Sequence, residues 1–98
     1  MKGELKEVLE KQLLDILEEK YQNLYMRIYI KQYYLDWNNA QIEHSKKKKS
    51  QVSIYNSNTK ELYGKIIFNL KMKKDKENKK PVPYGIVKSS LMVFFGKK

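Results

Sequence analysis

Tyrosines and cationic side chains alternate along one short stretch of the chain, where Tyr25, Arg27, Tyr29, Lys31 and Tyr33 stand two residues apart. In an extended strand that spacing directs all five to one face. Such a face suits a single strand of nucleic acid, because phenol rings stack on bases and cations meet phosphates. Each stacked base contributes about 1–3 kcal/mol, and each phosphate contact makes affinity fall with salt. A second tract, residues 60–72, adds Tyr63, Lys65 and Lys71 to the same outward set. Lys46, Lys47, Lys48 and Lys49 form a run of like charge with no apolar neighbour to bury, which predicts a mobile arm able to reach a phosphate backbone. The same residues also have a purely structural use, since tyrosine rings cover sheet surface and pair across strands with lysine stems.

Charge supports an anionic partner. The 98 residues hold 21 basic and 11 acidic side chains, a formal net charge of +10. Residues 1–22 carry four lysines against six acids, net −2, so the remainder carries seventeen basic against five acidic groups, net +12. A slightly acidic arm joined to a strongly basic body points to nucleic acid, RNA or single-stranded DNA, or to an anionic protein surface. Of the basic residues only Arg27 is arginine. Lysine is a point charge suited to phosphate, whereas bidentate reading of base edges calls for arginine, so backbone contact with little sequence specificity is expected. A lysine-rich surface that serves only solubility has the same composition.

Protein docking is the alternative. Trp37, beside Tyr33, Tyr34 and Leu35, makes a compact aromatic patch if exposed, and such residues anchor interfaces. Small, basic, Lys- and Tyr-rich chains look like accessory products of phages or mobile elements, which act by docking on a larger host complex.

Enzymatic chemistry finds little footing. His44 is the single histidine, and in a strand it would face away from its neighbour Glu43. The four glycines stand alone at positions 3, 64, 85 and 96, so no phosphate-binding loop is present. There is no cysteine, which removes disulfides, thiolate nucleophiles and cysteine-ligated metal sites. A binding protein without cofactor or metal is therefore expected, not an enzyme. The charged N-terminus and short apolar runs predict neither a signal peptide nor a membrane span, hence a soluble cytoplasmic protein.

The elements that must position these residues follow from periodicity. Leu5, Val8, Leu9, Leu13, Ile16, Leu17 and Tyr21 form a helical stripe over about residues 4–22. From Leu24 the period changes to two, predicting a strand within 24–34. Tyr21, Tyr25, Tyr29 and Tyr33 also recur every four residues, so a longer helix competes with it. Further strands are expected within 40–44, 51–56, 60–72 and 86–95, with mobile Lys-rich loops at 45–50 and 73–85. Gly64 interrupts the inward set of its strand and predicts a bulge. At this length a second core is not expected. The chain reads as a single α+β domain over 1–98, one N-terminal amphipathic helix packed on a four- or five-stranded antiparallel sheet. The helix stripe leaves a homodimer open.

Overall fold

The computed structural model describes residues 3–37, 49–74, 77 and 81–96. Two helices, α1 (Gly3–Lys20) and α2 (Gln22–Tyr29), precede four strands, β1 (Tyr33–Asp36), β2 (Lys49–Asn56), β3 (Leu62–Lys74) and β4 (Pro81–Phe95). The strands form one antiparallel sheet in the order β1-β2-β3-β4, so every strand lies beside its sequence neighbours. The fifth strand expected at 40–44 falls outside the described residues.

On α1 the residues Leu9, Leu13 and Leu17 recur every four positions and are fully buried, with Ile16 beside them. Val8, expected in the same stripe, turns to solvent, while Leu5 and Leu14 pack on its margins. The sheet supplies Val52, Ile54, Ile66, Phe68, Leu70, Ile86 and Leu91 to the same core. Phe68 is the largest of the fully buried side chains.

The strand expected within 24–34 is instead mostly α2. Leu24 is buried, and Tyr21, Tyr25 and Ile28 pack against the core at helical spacing. Tyr21, with φ −136° and ψ 61°, leaves the helical path between the two helices. The ladder nevertheless continues across it, because Tyr21 N–H donates to the Leu17 carbonyl (2.7 Å) and Tyr25 N–H to that of Tyr21 (3.0 Å). Both periodicities coexist in this stretch, and burial decides between them: a helix seats Leu24 and Ile28 and leaves Met26 and Ile30 outside.

Three register irregularities shape the sheet, one of them leaving Tyr84 as an extra residue of β4 between the Lys71–Gly85 and Met72–Pro83 pairs. Leu62 pairs with Tyr55 and Gly64 with Ile54, so Tyr63 is the extra residue of β3. This reverses the expected alternation: Leu62 is 57% exposed, whereas Tyr63 packs inward on the core. Gly64 is required here, since a Cβ would stand 2.3 Å from the Phe94 carbonyl oxygen of β4. In β4 the four residues Lys88–Leu91 stand opposite Phe68 alone. Ser90 bridges this bulge, its Oγ accepting from Asn69 N–H (2.8 Å) and donating to the Val87 carbonyl (2.6 Å). The insertion places Val87 beside the exposed Asn69 and Leu91 in the core.

Parts of both expected mobile loops belong to strands. Lys49 and Ser50 begin β2, Lys73 and Lys74 end β3, and residues 81–85 open β4. Register pairing of Lys73 with Val82 and Lys74 with Pro81 extends the hairpin, and Pro81 and Pro83 are tolerated because β4 is an edge strand. Substituting Gly64→Ala forces the β3 and β4 backbones apart. Urea unfolding is expected to report a loss of about 1–3 kcal/mol, the cost of overpacking.

Candidate nucleic-acid interface

Between the helix pair and the short edge strand β1 lies a groove of ≈ 910 Å³. Lys6, Glu10 and Leu14, on successive turns of α1, form one wall; Tyr25, Ile28 and Tyr29 of α2 form the next; Tyr33, Tyr34 and Leu35 come from β1. Lys31, Ser57 and Lys60 complete the lining.

The rings are arranged in pairs. Tyr25 and Tyr29, one helical turn apart, stack with centroids 6.1 Å apart, and Tyr29 is 69% exposed. Tyr34 stacks on Tyr55 of β2 at 5.6 Å, with the Lys60 ammonium 5.3 Å from its ring centre. Tyr33 is held fast: its ring stacks on Tyr63 at 4.2 Å, and the Arg27 guanidinium lies 5.9 Å from its centroid and donates to its hydroxyl (3.4 Å). Tyr33 thus anchors the groove, Tyr29 offers open ring surface, and Tyr34 is exposed beside Tyr55 and Lys60.

Two of the three lysines occupy left-handed backbone, Lys31 at φ 66° and Lys60 at φ 65°. Lys31 terminates α2 in a Schellman motif: its N–H donates to Ile28 O (3.0 Å) and that of Gln32 to Arg27 O (2.9 Å). Lys60 closes the β2–β3 turn by donating to Asn56 O (2.8 Å), while Asn56 Oδ1 accepts from the N–H groups of Asn58 and Thr59. Ser57 N–H donates to Gln32 O (2.9 Å), which ties the turn to the α2–β1 connection. Both lysines therefore border the same groove. Left-handed backbone costs a side-chain-bearing residue about 1–2 kcal/mol, so each position carries strain that glycine would relieve.

Charge is graded across the site. Burial, followed by the fields of Glu18, Tyr29 and Asp15, pushes the Tyr25 phenol above its ordinary pKa, so it remains a neutral donor. A second hollow adjoins the groove at Glu10, Leu14 and Tyr25 and adds Glu7, Lys11 and Asp15. Glu10 is half-buried and makes no ion pair with a described residue. Acids thus gather by Tyr25, whereas Lys60 lies by Tyr34.

The groove unites four residues singled out from sequence, Tyr25, Tyr29, Lys31 and Tyr33, but on a helix, its cap and a strand instead of one strand face. Arg27 acts from the flank, on Tyr33. Tyr63 faces inward, away from Lys65 and Lys71, which extend from the sheet face opposite Ile66, Phe68 and Leu70. The three therefore do not form one surface, because the bulge turns Tyr63 alone. Lys49 is exposed opposite Asn69, while Lys46, Lys47, Lys48 and His44 lie outside the described residues. Trp37 is only 5% exposed, its ring 6.2 Å from Phe68, and its Nε1–H lacks a partner among the described residues. The Trp37 patch is accordingly split, with Tyr33 and Trp37 facing inward and Tyr34 outward. Lys6, Glu10 and Lys60 were not anticipated. Only the four-residue spacing of Lys6, Glu10 and Leu14 hinted that they share a flank of α1.

Together these features define a small α+β protein whose two helices and sheet edge enclose a tyrosine-lined groove. No family model matches the chain, and no curated protein or solved structure matches it. Among the described residues, no helix is long and apolar enough to cross a membrane. The strain at the helix cap gives a direct check of the geometry. Lys31→Gly is expected to raise stability by about 0.5–1 kcal/mol, the relief of left-handed strain less the greater chain entropy of glycine, read as a higher denaturant midpoint at unchanged slope.

Proposed function

We propose that this protein binds single-stranded nucleic acid, RNA or DNA, in the tyrosine-lined groove, chiefly through bases stacked on rings and phosphates met by lysine. The observation that carries this reading is the convergence of Tyr25, Tyr29, Tyr33 and Tyr34 with Lys6, Lys31 and Lys60 around one opening. Rings stack on any base, and lysine engages phosphate without reading an edge, so these contacts are largely indifferent to sequence. The activity is binding, with no catalytic step. Lys49, Lys65 and Lys71, exposed on the sheet, add a positive field that draws a polyanion towards the molecule.

A second reading, docking on an anionic protein surface, draws on the opposite sheet face. There Met92 and Phe94 stand exposed opposite Ile67 and Lys65. This reading leaves the groove without a role, which is what separates the two.

Fluorescence anisotropy with labelled uridine and thymidine dodecamers and with duplex DNA, across a salt series, tests the groove. Tyr29→Ala is expected to weaken single-strand binding at least about fivefold, the low end of one lost stack, with the melting temperature unchanged because the ring is exposed. Lys31→Gln should reduce the steepness of the log–log salt dependence by about 0.7, the share of one single-strand phosphate contact. Affinities identical to the parent protein in both variants would remove the groove from the mechanism and leave the opposite sheet face as the candidate.

A further inference from the structure

A carboxylate on the wall of a phosphate-binding groove opposes the ligand unless it meets a hydrogen-bond donor. Glu10 holds that position, between Lys6 and Leu14 on the α1 wall, half-buried, and without an ion pair to any described residue. Ionised, it offers acceptors only. Its surroundings are acidic as well: the adjoining hollow brings Glu7 and Asp15 beside Tyr25, with Lys11 as the one cation in its lining. Burial does most to push the Tyr25 phenol up, and the fields of Glu18, Tyr29 and Asp15 add to it. By contrast, Lys60 sits over Tyr34, and the turn that carries it is tied to the segment just after Lys31.

On the Glu10 side, Glu7, Glu10 and Asp15 outnumber Lys6 and Lys11 by one charge, whereas Lys31 and Lys60 complete the lining without a carboxylate beside them in it. A nucleotide has the complementary arrangement, with an anionic phosphate at one end and N–H donors on the base edge at the other. Among the bases, guanine presents two adjacent donors, N1–H and the 2-amino group, at a spacing that matches the two oxygens of a carboxylate. Cytosine and adenine present one amino group beside a ring-nitrogen acceptor, and uracil presents one N–H flanked by two carbonyl oxygens that a carboxylate repels.

We propose that Glu10 makes the groove selective for guanine, accepting both Watson–Crick-edge donors of a base that lies against the Tyr25–Tyr29 pair while its phosphate faces Lys31 and Lys60. The inference rests on the groove being the single-strand site. It adds one base-reading contact to a surface whose other contacts are indifferent to sequence. The same carboxylate weakens binding to oligouridine, because it repels phosphate and meets no matching pair of donors.

The test compares three labelled RNA hexamers: all uridine, one with a single central guanosine, and one with inosine at that position. Inosine keeps N1–H and lacks the 2-amino group. Binding is measured for the parent protein and for Glu10→Gln, which is isosteric, with melting curves to confirm that both are folded. The guanosine hexamer is expected to bind the parent about tenfold more tightly than oligouridine, within the range for one bidentate base contact, and inosine to lose most of that gain. Glu10→Gln should bring the ratio close to one while tightening the binding of oligouridine. A ratio near one in the parent, or a preference that Glu10→Gln leaves intact, overturns the guanine assignment alone. If no hexamer binds even at low salt, the groove reading fails and this inference fails with it.

Discussion

Everything in this fold depends on covering one face of a four-stranded sheet. Adjacent strands lie about 4.8 Å apart, so four of them span roughly 14 Å between the outer strands, while a helix with its side chains is about 10–12 Å across. One helix cannot cover that width. The chain meets the requirement by breaking at Tyr21: α1 lies against β4 and α2, and α2 reaches β1. Leu9, Leu13, Leu17 and Leu24 from the helices and Phe68, Ile66 and Ile54 from the strands then share a single cluster. The break is cheap in hydrogen bonds because the ladder passes through it at Tyr21 and Tyr25.

The groove follows from this solution. β1 has only four residues and α2 only eight, so the helix pair and the sheet edge leave a seam unfilled. Side chains that would otherwise pack a wider core face that seam, which is why tyrosines with polar ends line it. At the other edge of the sheet the backbone is partly sealed. Gln12 accepts from Ile86 N–H (3.0 Å), Lys20 donates to Lys88 O (3.0 Å), and Glu19 pairs with the Lys88 ammonium. The hydrogen bond and charge of Lys88 hold the Glu19 carboxyl below its ordinary pKa. With Pro81 and Pro83 at the start of β4, these contacts limit strand addition along that edge.

The α1 stripe, the strand tracts at 51–56 and 60–72 and the α+β class were legible because each depends on a period written in consecutive residues. Leu9, Leu13 and Leu17 could serve no other element, and Gly64 announced its bulge. The segment from Leu24 to Tyr33 misled because it satisfies two periods together, and the choice between them depends on the width of a sheet formed by residues far along the chain. Tyr63 and Leu62 exchanged faces for a related reason: a bulge beside Gly64 was foreseeable, but not which neighbour it would turn. Four groove residues were identified in advance by type even though their element was mistaken. Tyrosines four apart share a helix face as readily as alternating ones share a strand face. Glu10 was invisible because its relation to the tyrosines exists only once α2 folds against α1, and Lys60 because it meets Tyr34 only once β1 pairs with β2 and the β2–β3 turn docks on the α2–β1 connection.

The distribution of charge separates attraction from retention. The lysines on the open sheet face act through solvent, and at physiological ionic strength their influence fades over a Debye length of about 8 Å. They can raise the rate of encounter with a polyanion, but a fully hydrated ammonium gains little from any one phosphate. On the proposed reading, retention needs a place where water is displaced, and the groove is where stacked rings and cations coincide among the described residues. Lys31 and Lys60 are held there at the cost of left-handed backbone, whereas Lys65 and Lys71 sit in ordinary strand geometry that demands nothing of them. Strain that the sequence could have avoided with glycine has been kept where two ammonium groups border the rings, which is the pattern expected when position matters more than stability.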